Sequence, residues 1–137
     1  MKYSTKQIGN KGEDYTVKYL KKHGYKVLER NYLKRFGEID IIAENKEYLI
    51  FVEVKTRNSN AMIRGGEAVN YRKRQCLIKT ALSYLSENNI DKFCRFDVAE
   101  VYLYNDTLKL ESLNYIENAF SLEGNYASYW FTLRHSL

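Results

Sequence analysis

The chain has 137 residues, a formal net charge of +5, 45% hydrophobic residues and no proline. This length predicts one domain with its own core, and two cysteines and two histidines are too few for a disulfide framework or a zinc site. The N-terminus has no apolar signal segment and no stretch is long enough to span a membrane, so we expect a soluble, cytoplasmic protein without membrane contact. The positive charge fits a polyanionic partner.

Apolar periodicity and turn-forming residues predict the order helix, three strands, helix, two strands. The predicted elements are a helix at 4–23, strands at 25–31, 37–43 and 48–57, a glycine-containing loop at 58–66, a helix at 67–88, and strands at 92–104 and 107–113. Gly24 is suited to end the first helix. This α-βββ-α-ββ order predicts an α/β fold in which helices flank a mixed central sheet.

Two of the predicted strands contain charged residues within apolar runs, namely Asp40 in one and Glu53 with Lys55 in the next. Such charges are costly unless they are paired or bound to a cation. The polar tetrad 44–47 predicts a hairpin loop of two or four residues. Either loop places the three charged residues on one face, with Asp40 and Glu53 roughly 5–8 Å apart at Cβ. A divalent cation removes the repulsion between these carboxylates. The alternative is a salt-bridge set in which Lys55 neutralises both acids.

Several further motifs occur in order along the chain. They are Gly9-x-x-Gly12-Glu13, Tyr19-Leu20, His23-Gly24-Tyr25, Asn31, Gly37-Glu38-Ile39-Asp40, Phe51 to Arg57, Arg95-Phe96-Asp97-Val98 and Asn118-Ala119-Phe120. Together they resemble the YraN-type family of small bacterial proteins, which is generally treated as nuclease-like. Asp40 followed by Glu53-Val54-Lys55 resembles the PD-(D/E)xK nuclease superfamily. The order with an early helical Glu is similar to that of archaeal Holliday-junction resolvases.

The resemblance implies a restriction-endonuclease-like fold and an endonuclease that needs Mg²⁺ or Mn²⁺ to hydrolyse phosphodiester bonds. Asp40, Glu53 and the Val54 carbonyl are then the metal ligands. Lys55 orients water or stabilises charge on the phosphate; because its ordinary pKa is near 10.4 and two carboxylates should raise it, we expect the electrostatic role. Glu13 adds a catalytic carboxylate from the first helix, or else it pairs with a nearby lysine.

The implied partner is nucleic acid, with branched DNA as the first substrate to test and DNA recombination or repair as the setting. Arg57, Arg64 and Lys73 are candidate phosphate contacts. Two alternatives stay open: Arg57 pairs with an acid, and Lys73, which lies on the core-facing stripe of its helix, only buries its stem. Alternation along one strand predicts that Arg95 and Asp97 form a structural pair.

We assign 1–120 to the nuclease-like domain and 121–137, which is rich in aromatic residues, to an extension packed on its surface. Base stacking and homodimer contact stay open for this extension. Two alternatives to an enzyme remain. One is a non-catalytic nucleic-acid-binding module on the same fold, and the other is a protein-interaction domain.

Overall fold

A computed structural model describes residues 3–58 and 71–120. In chain order its elements are α1 Thr5–Lys22, β1 Lys26–Lys34, β2 Gly37–Glu44, β3 Tyr48–Asn58, α2 Tyr71–Glu87, β4 Phe93–Leu103 and β5 Leu110–Phe120. The predicted order of elements is confirmed. Most of the predicted loop at 58–66, the predicted start of the second helix and the extension 121–137 lie outside the described residues.

The five strands form one sheet in the order β1-β2-β3-β4-β5. Neighbouring strands are antiparallel except for β3 and β4, which are parallel. Parallel neighbours require a crossover connection, and α2 lies between these two strands in the chain. The prediction of an α/β fold around a mixed sheet is therefore confirmed.

The two helices cover opposite faces of the sheet. On one face α1 packs through Leu20 against Ile41 and Ile50, all fully buried. On the other face α2 packs through Ile78 against Phe51 and their buried neighbours. Strand side chains alternate between these faces, so both sides of β2 and β3 are apolar. Neither helix in the described ranges is long and apolar enough to cross a membrane.

Local hydrogen bonds set both ends of α1. At its start the Ser4 hydroxyl accepts from the Gln7 N–H while the Gln7 side chain accepts from the Ser4 N–H, which forms a capping box. At its end Gly24 has a left-handed φ of +86°, and the Tyr25 N–H donates to the Leu20 carbonyl at 2.9 Å. The predicted stop at Gly24 is confirmed, and it takes the form of a Schellman motif.

Gly12 brings α1 unusually close to β3. A Cβ atom at this position would lie 1.8 Å from the Thr56 Oγ1 atom. The helix backbone and the strand side chain therefore share space that only glycine leaves open. Glu13 follows directly, so this contact also sets the position of its carboxylate.

The last strand is longer than predicted, since β5 Leu110–Phe120 replaces the expected 107–113. Most of its side chains are exposed and the polar ones do not alternate with apolar ones, so the pattern that marks a half-buried strand stops early. The second half is held by β4: the Tyr115 O–H and the Asn118 N–H donate to the Asp97 carboxylate at 2.7 and 2.9 Å. Contacts with another strand, rather than local pattern, define this element.

Candidate functional site

The hairpin of β2 and β3 has the register of a four-residue loop, because Ile41 pairs with Val52. Continued by one residue, this register places Asp40 opposite Glu53. Beyond this point β2 and β3 no longer pair with each other. Residues 37–39 of β2 stay paired with β1, and β3 from Glu53 onward stays paired with β4. We call the space between residues 37–40 of β2 and 53–56 of β3 the gap.

Asp40 lies at the closed end of the gap, where its Oδ2 atom accepts a hydrogen bond from the Val54 N–H at 2.8 Å. Because the N–H and C=O of a strand residue point to the same side, the Val54 carbonyl also faces the gap. Burial raises the pKa of Asp40 to about 8, and the negative charges of Glu53, Glu13 and Glu38 contribute to this rise. The Val54 hydrogen bond opposes the rise without cancelling it. Asp40 is thus an acid surrounded mainly by other acids.

Glu13 reaches this region from α1 and is buried. Its Oε1 atom accepts from Arg30 Nη2 at 3.3 Å and from Asn31 Nδ2 at 3.2 Å. The alternative of a lysine partner is wrong, since the cation comes from β1 and is an arginine. Sequence reasoning connected neither Arg30 nor Asn31 with Glu13, although Asn31 is among the motifs that carry the family resemblance. In the structure Asn31 has a φ of 54°, a conformation that asparagine tolerates better than most residues.

A cavity of about 310 Å³ borders the gap on the α1 side. Its lining residues are Thr5, Ile8, Gly9, Glu13, Asp40, Val54, Thr56, Arg57 and Asn58. Glu13 and Asp40 supply two acids to this cavity and Arg57 supplies a cation. The structure therefore brings Glu13 to the same cavity as Asp40, as the sequence predicted.

Glu53 is buried and contacts α2 rather than this cavity. Its Oε1 atom lies 2.5 Å from the Lys73 Nζ atom. Of the two interpretations of Lys73, the reach toward the site is the one observed, and the simple burial of its stem is not. A cationic side chain of the protein itself therefore contacts one of the candidate metal-binding carboxylates.

Lys55 follows two residues after Glu53 on β3. Its pKa is lowered, first by burial and then by the positive charges of Lys73 and Arg57, while Glu53 and Glu100 act in the opposite direction. The upward shift expected from the sequence is wrong in direction. That expectation counted two carboxylates and could not place the cations of α2 and of the end of β3.

The three charged residues meet around the gap rather than on one face of an unbroken ladder. The Asp40 carboxylate turns into the gap and borders the α1-side cavity, whereas Glu53 and Lys55 lie beside Lys73 of α2. The ladder between β2 and β3 ends at Ile41 and Val52, so strand alternation alone does not set the direction of the Asp40 side chain. Glu53 nevertheless lies close enough to raise the pKa of Asp40.

The donors around the gap fit a hard divalent cation in kind. Mg²⁺ and Mn²⁺ bind carboxylate and carbonyl oxygens, and Asp40, Glu53 and Val54 offer these atoms. The excess negative charge at Asp40 also favours a cation. Within residues 3–58 and 71–120, however, no three acidic, histidine or cysteine side chains form a ready metal cluster. An ion held here would share the Glu53 carboxylate with Lys73.

The three candidate phosphate contacts have different positions. Arg57 lines the cavity and Lys73 contacts Glu53, so both lie beside the candidate site. Arg64 falls outside the described residues. The predicted pair of Arg95 and Asp97 is confirmed by two hydrogen bonds of 2.9 Å.

Comparison with known proteins gives a consistent assignment. The sequence model of the uncharacterised protein family UPF0102 matches residues 12–101. A UPF0102 protein of Caldanaerobacter subterraneus is 44% identical over 120 residues, covering 87% of this chain and 98% of that protein. One from Alkaliphilus oremlandii is 47% identical over 118 residues, covering 84% and 98% respectively. One from a Sulfurihydrogenibium species is 44% identical over 118 residues, covering 85% and 96%. The resemblance to the YraN-type family is thereby confirmed, and the chain belongs to the uncharacterised protein family UPF0102.

Proposed function

We propose that this protein is a divalent-metal-dependent endonuclease with a restriction-endonuclease-like fold. The observation that carries the proposal is the meeting of three carboxylates, from Glu13, Asp40 and Glu53, at the point where β2 and β3 part. Lys55 lies beside Glu53. Acids held together against their mutual repulsion are typical of functional sites.

Each residue has a distinct role in this proposal. Asp40, Glu53 and the Val54 carbonyl hold Mg²⁺ or Mn²⁺, which when bound acts as a Lewis acid toward the phosphodiester. Lys55 places a positive charge where negative charge develops on the scissile phosphate. Glu13 orients water at the mouth of the cavity, and its own direction is held by hydrogen bonds from Arg30 and Asn31.

The fold supports the proposal through the placement of these residues. The sheet carries α1 and α2 on opposite faces, and its β2–β3 hairpin presents Asp40 and the Glu53-Val54-Lys55 motif at one end. This arrangement resembles that of PD-(D/E)xK nucleases. By the same resemblance the substrate class is DNA, with branched DNA first and a role in recombination or repair.

A side-by-side cleavage and binding experiment tests the proposal. Wild-type protein is incubated with single-stranded, duplex and four-way-junction DNA and with RNA, in Mg²⁺, Mn²⁺ or chelator. Asp40→Asn and Glu53→Gln should lose both metal binding and cleavage. Lys55→Ala should keep metal binding but cut about 10²–10³-fold more slowly, as expected for loss of one transition-state contact. Glu117→Gln, at an exposed carboxylate on β5, is the matched control.

Two outcomes would contradict the nuclease assignment. One is a wild type that cuts no substrate in either metal. The other is cleavage by Asp40→Asn or Glu53→Gln at the wild-type rate. A calorimetric titration with Mn²⁺ accompanies the assay, so that metal binding is read independently of activity.

A non-catalytic nucleic-acid-binding module is the second candidate. The observation that favours it is that two of the three carboxylates already contact cationic side chains, Glu53 through Lys73 and Glu13 through Arg30. Such pairing neutralises the site without a metal ion. This candidate predicts nucleic-acid binding that chelator does not change, together with no cleavage of any substrate.

A further inference from the structure

The turn between β1 and β2 exposes an aromatic side chain, Phe36, which is 44% exposed. Leu33 is 70% exposed but belongs to β1, where its neighbours Tyr32 and Lys34 both contact Glu87 of α2, so it points to the other face of the sheet. We call residues 33–36 the hairpin tip. Single exposed apolar residues are common, so the surroundings of Phe36 decide what its ring can bind.

Positive charge surrounds the aromatic ring of this tip. The Arg35 guanidinium lies 5.8 Å from the Phe36 ring centroid, and the Lys79 ammonium of α2 lies 5.5 Å from the same centroid. Neither cation pairs with a carboxylate anywhere in residues 3–58 and 71–120. Lys34 differs, because Glu87 neutralises it at 2.7 Å. The ring of Phe36 is therefore flanked by two cations that can attract phosphate groups.

The hairpin tip lies at the same end of the sheet as the candidate site. Phe36 precedes β2, and Asp40 is four residues further along the chain. Four residues of strand span roughly 13 Å. Stacked nucleotides advance about 3.4 Å along each strand, so this distance corresponds to about four nucleotides. A strand with one phosphate at the gap can thus bring a nearby base to the hairpin tip.

We infer that the hairpin tip stacks on unpaired bases of a nucleic acid, so that the substrate has single-stranded or frayed nucleotides a few positions from the bound phosphate. This inference rests on the proposed function and specifies its substrate. The Phe36 ring provides the stacking surface, and Arg35 and Lys79 provide the phosphate contacts. Bases inside a duplex already stack on their neighbours, so they do not offer a face to these side chains.

Variants at opposite ends of the sheet test the inference. The hairpin variant Phe36→Ser removes the stacking ring, while Phe93→Ser is the matched control. Phe93 is 61% exposed and opens β4, where it pairs with Tyr48 at the end of the sheet remote from the gap. Affinity is measured by fluorescence anisotropy in chelator, with single-stranded DNA, a forked duplex and a blunt duplex. A 2-aminopurine base in the single strand reports stacking directly.

The hairpin variant should bind single-stranded and forked DNA about 10-fold more weakly, as expected for the loss of one stacked base, and bind the blunt duplex as wild type does. It should also lose the quenching of 2-aminopurine, and Phe93→Ser should match wild type throughout. If Phe36→Ser fails to fold, Phe36→Leu keeps an apolar residue without the ring and should show the same loss of quenching.

The outcomes separate this inference from the proposed function. If wild type cuts DNA in Mn²⁺ but the hairpin variant binds every substrate equally well, the inference alone fails. If wild type neither binds nor cuts nucleic acid, both fail. A hairpin variant that loses a protein dimer, with its DNA affinity unchanged, would show that the tip is an interface between copies and would also overturn the inference.

Discussion

Asp40 on β2 and Asp97 on β4 lie in one sheet, the first half-buried and the second buried, and their surroundings differ. Asp97 is fully buried and accepts two hydrogen bonds from Arg95 at 2.9 Å, one from the Tyr115 O–H and one from the Asn118 N–H. Among the residues that the structure describes, Asp40 accepts one hydrogen bond, from the Val54 N–H, and its nearest charged neighbours include three acids.

The difference separates a structural acid from a candidate functional one. A buried carboxylate whose oxygens are all matched by donors stabilises the chain that it holds, here the second half of β5. A carboxylate that lacks a cation and lies beside other acids is destabilising unless something outside the chain binds it. The same residue type therefore serves different purposes according to its donors.

Replacing Asp97 should cause the largest change, a loss of folding stability. Asp97→Asn leaves the Arg95 guanidinium buried without its carboxylate, and breaking a buried pair in this way costs about 3–5 kcal/mol. Urea unfolding should show this loss as a lower midpoint with an unchanged slope. The control is Glu117→Gln: this carboxylate lies 3.6 Å from Arg95 but is 64% exposed, and its removal should cost less than about 1 kcal/mol. Equal stability of Asp97→Asn and wild type would refute the structural role.

Replacing Gly12 should cause the next largest loss of folding stability. Gly12→Ala drives a methyl group into Thr56, so α1 must move away from β3 at a cost of about 1–3 kcal/mol. Gly9→Ala in the same helix meets nothing within 4 Å and should stabilise by roughly 0.5–1 kcal/mol. Thermal unfolding of the two variants measures the contrast. If the two variants were equally stable, the close approach of α1 to β3 would not require glycine at position 12.

Replacing Asp40 should stabilise the protein, whereas replacing Asp97 destabilises it, and the gain in stability should depend on pH. Its pKa rises from an ordinary 3.8 to about 8 in the folded protein, so wild-type stability should fall as pH increases from about 4 to 8. Asp40→Asn lacks this titration and should exceed wild type by at least about 1 kcal/mol at pH 8, the equivalent of one pKa unit. Melting temperatures across pH 4–9 in chelator provide the measurement. If the stabilities of the two proteins changed with pH in the same way, the raised pKa of Asp40 would be refuted. Mn²⁺ at pH 8 should stabilise wild type more than Asp40→Asn.

Replacing Lys73 should cause the smallest change, a modest gain in Mn²⁺ affinity. Lys73→Ala removes the cation that shares the Glu53 carboxylate, so Mn²⁺ should bind up to about 5-fold more tightly, consistent with an ion pair worth about 0.2–1 kcal/mol. Arg72→Ala, at the exposed neighbouring position, should leave the Mn²⁺ affinity unchanged. Calorimetric titration compares the two variants. Weaker Mn²⁺ binding by Lys73→Ala would show that Lys73 supports the site instead of competing for it.

Much of the fold was predictable because local chemistry decides it. Gly24 ends α1 through its left-handed backbone, and the polar tetrad after β2 sets the hairpin register, in which Ile41 pairs with Val52. The pairing of Arg95 with Asp97 follows from their separation of two residues on one strand. Each of these features depends on residues close together in the chain.

Other features of the site could not be predicted from the sequence. The parting of β2 and β3 at Asp40 depends on which neighbour each strand keeps, β1 for the one and β4 for the other. The contact of Lys73 with Glu53 and the lowered pKa of Lys55 depend on where α2 crosses the sheet. The full length of β5 depends on hydrogen bonds to Asp97.

The sequence by itself determined which acids and lysines the site contains, and the order of elements that carry them, because composition, periodicity and turn residues act over a few positions. Only the tertiary structure decided how these charges combine. It left Asp40 among acids, gave Glu53 a lysine from α2 and gave Glu13 an arginine from β1. Electrostatic interactions fall with distance in space and not along the chain, so the balance of charge at the gap exists only once the strands and helices have packed together.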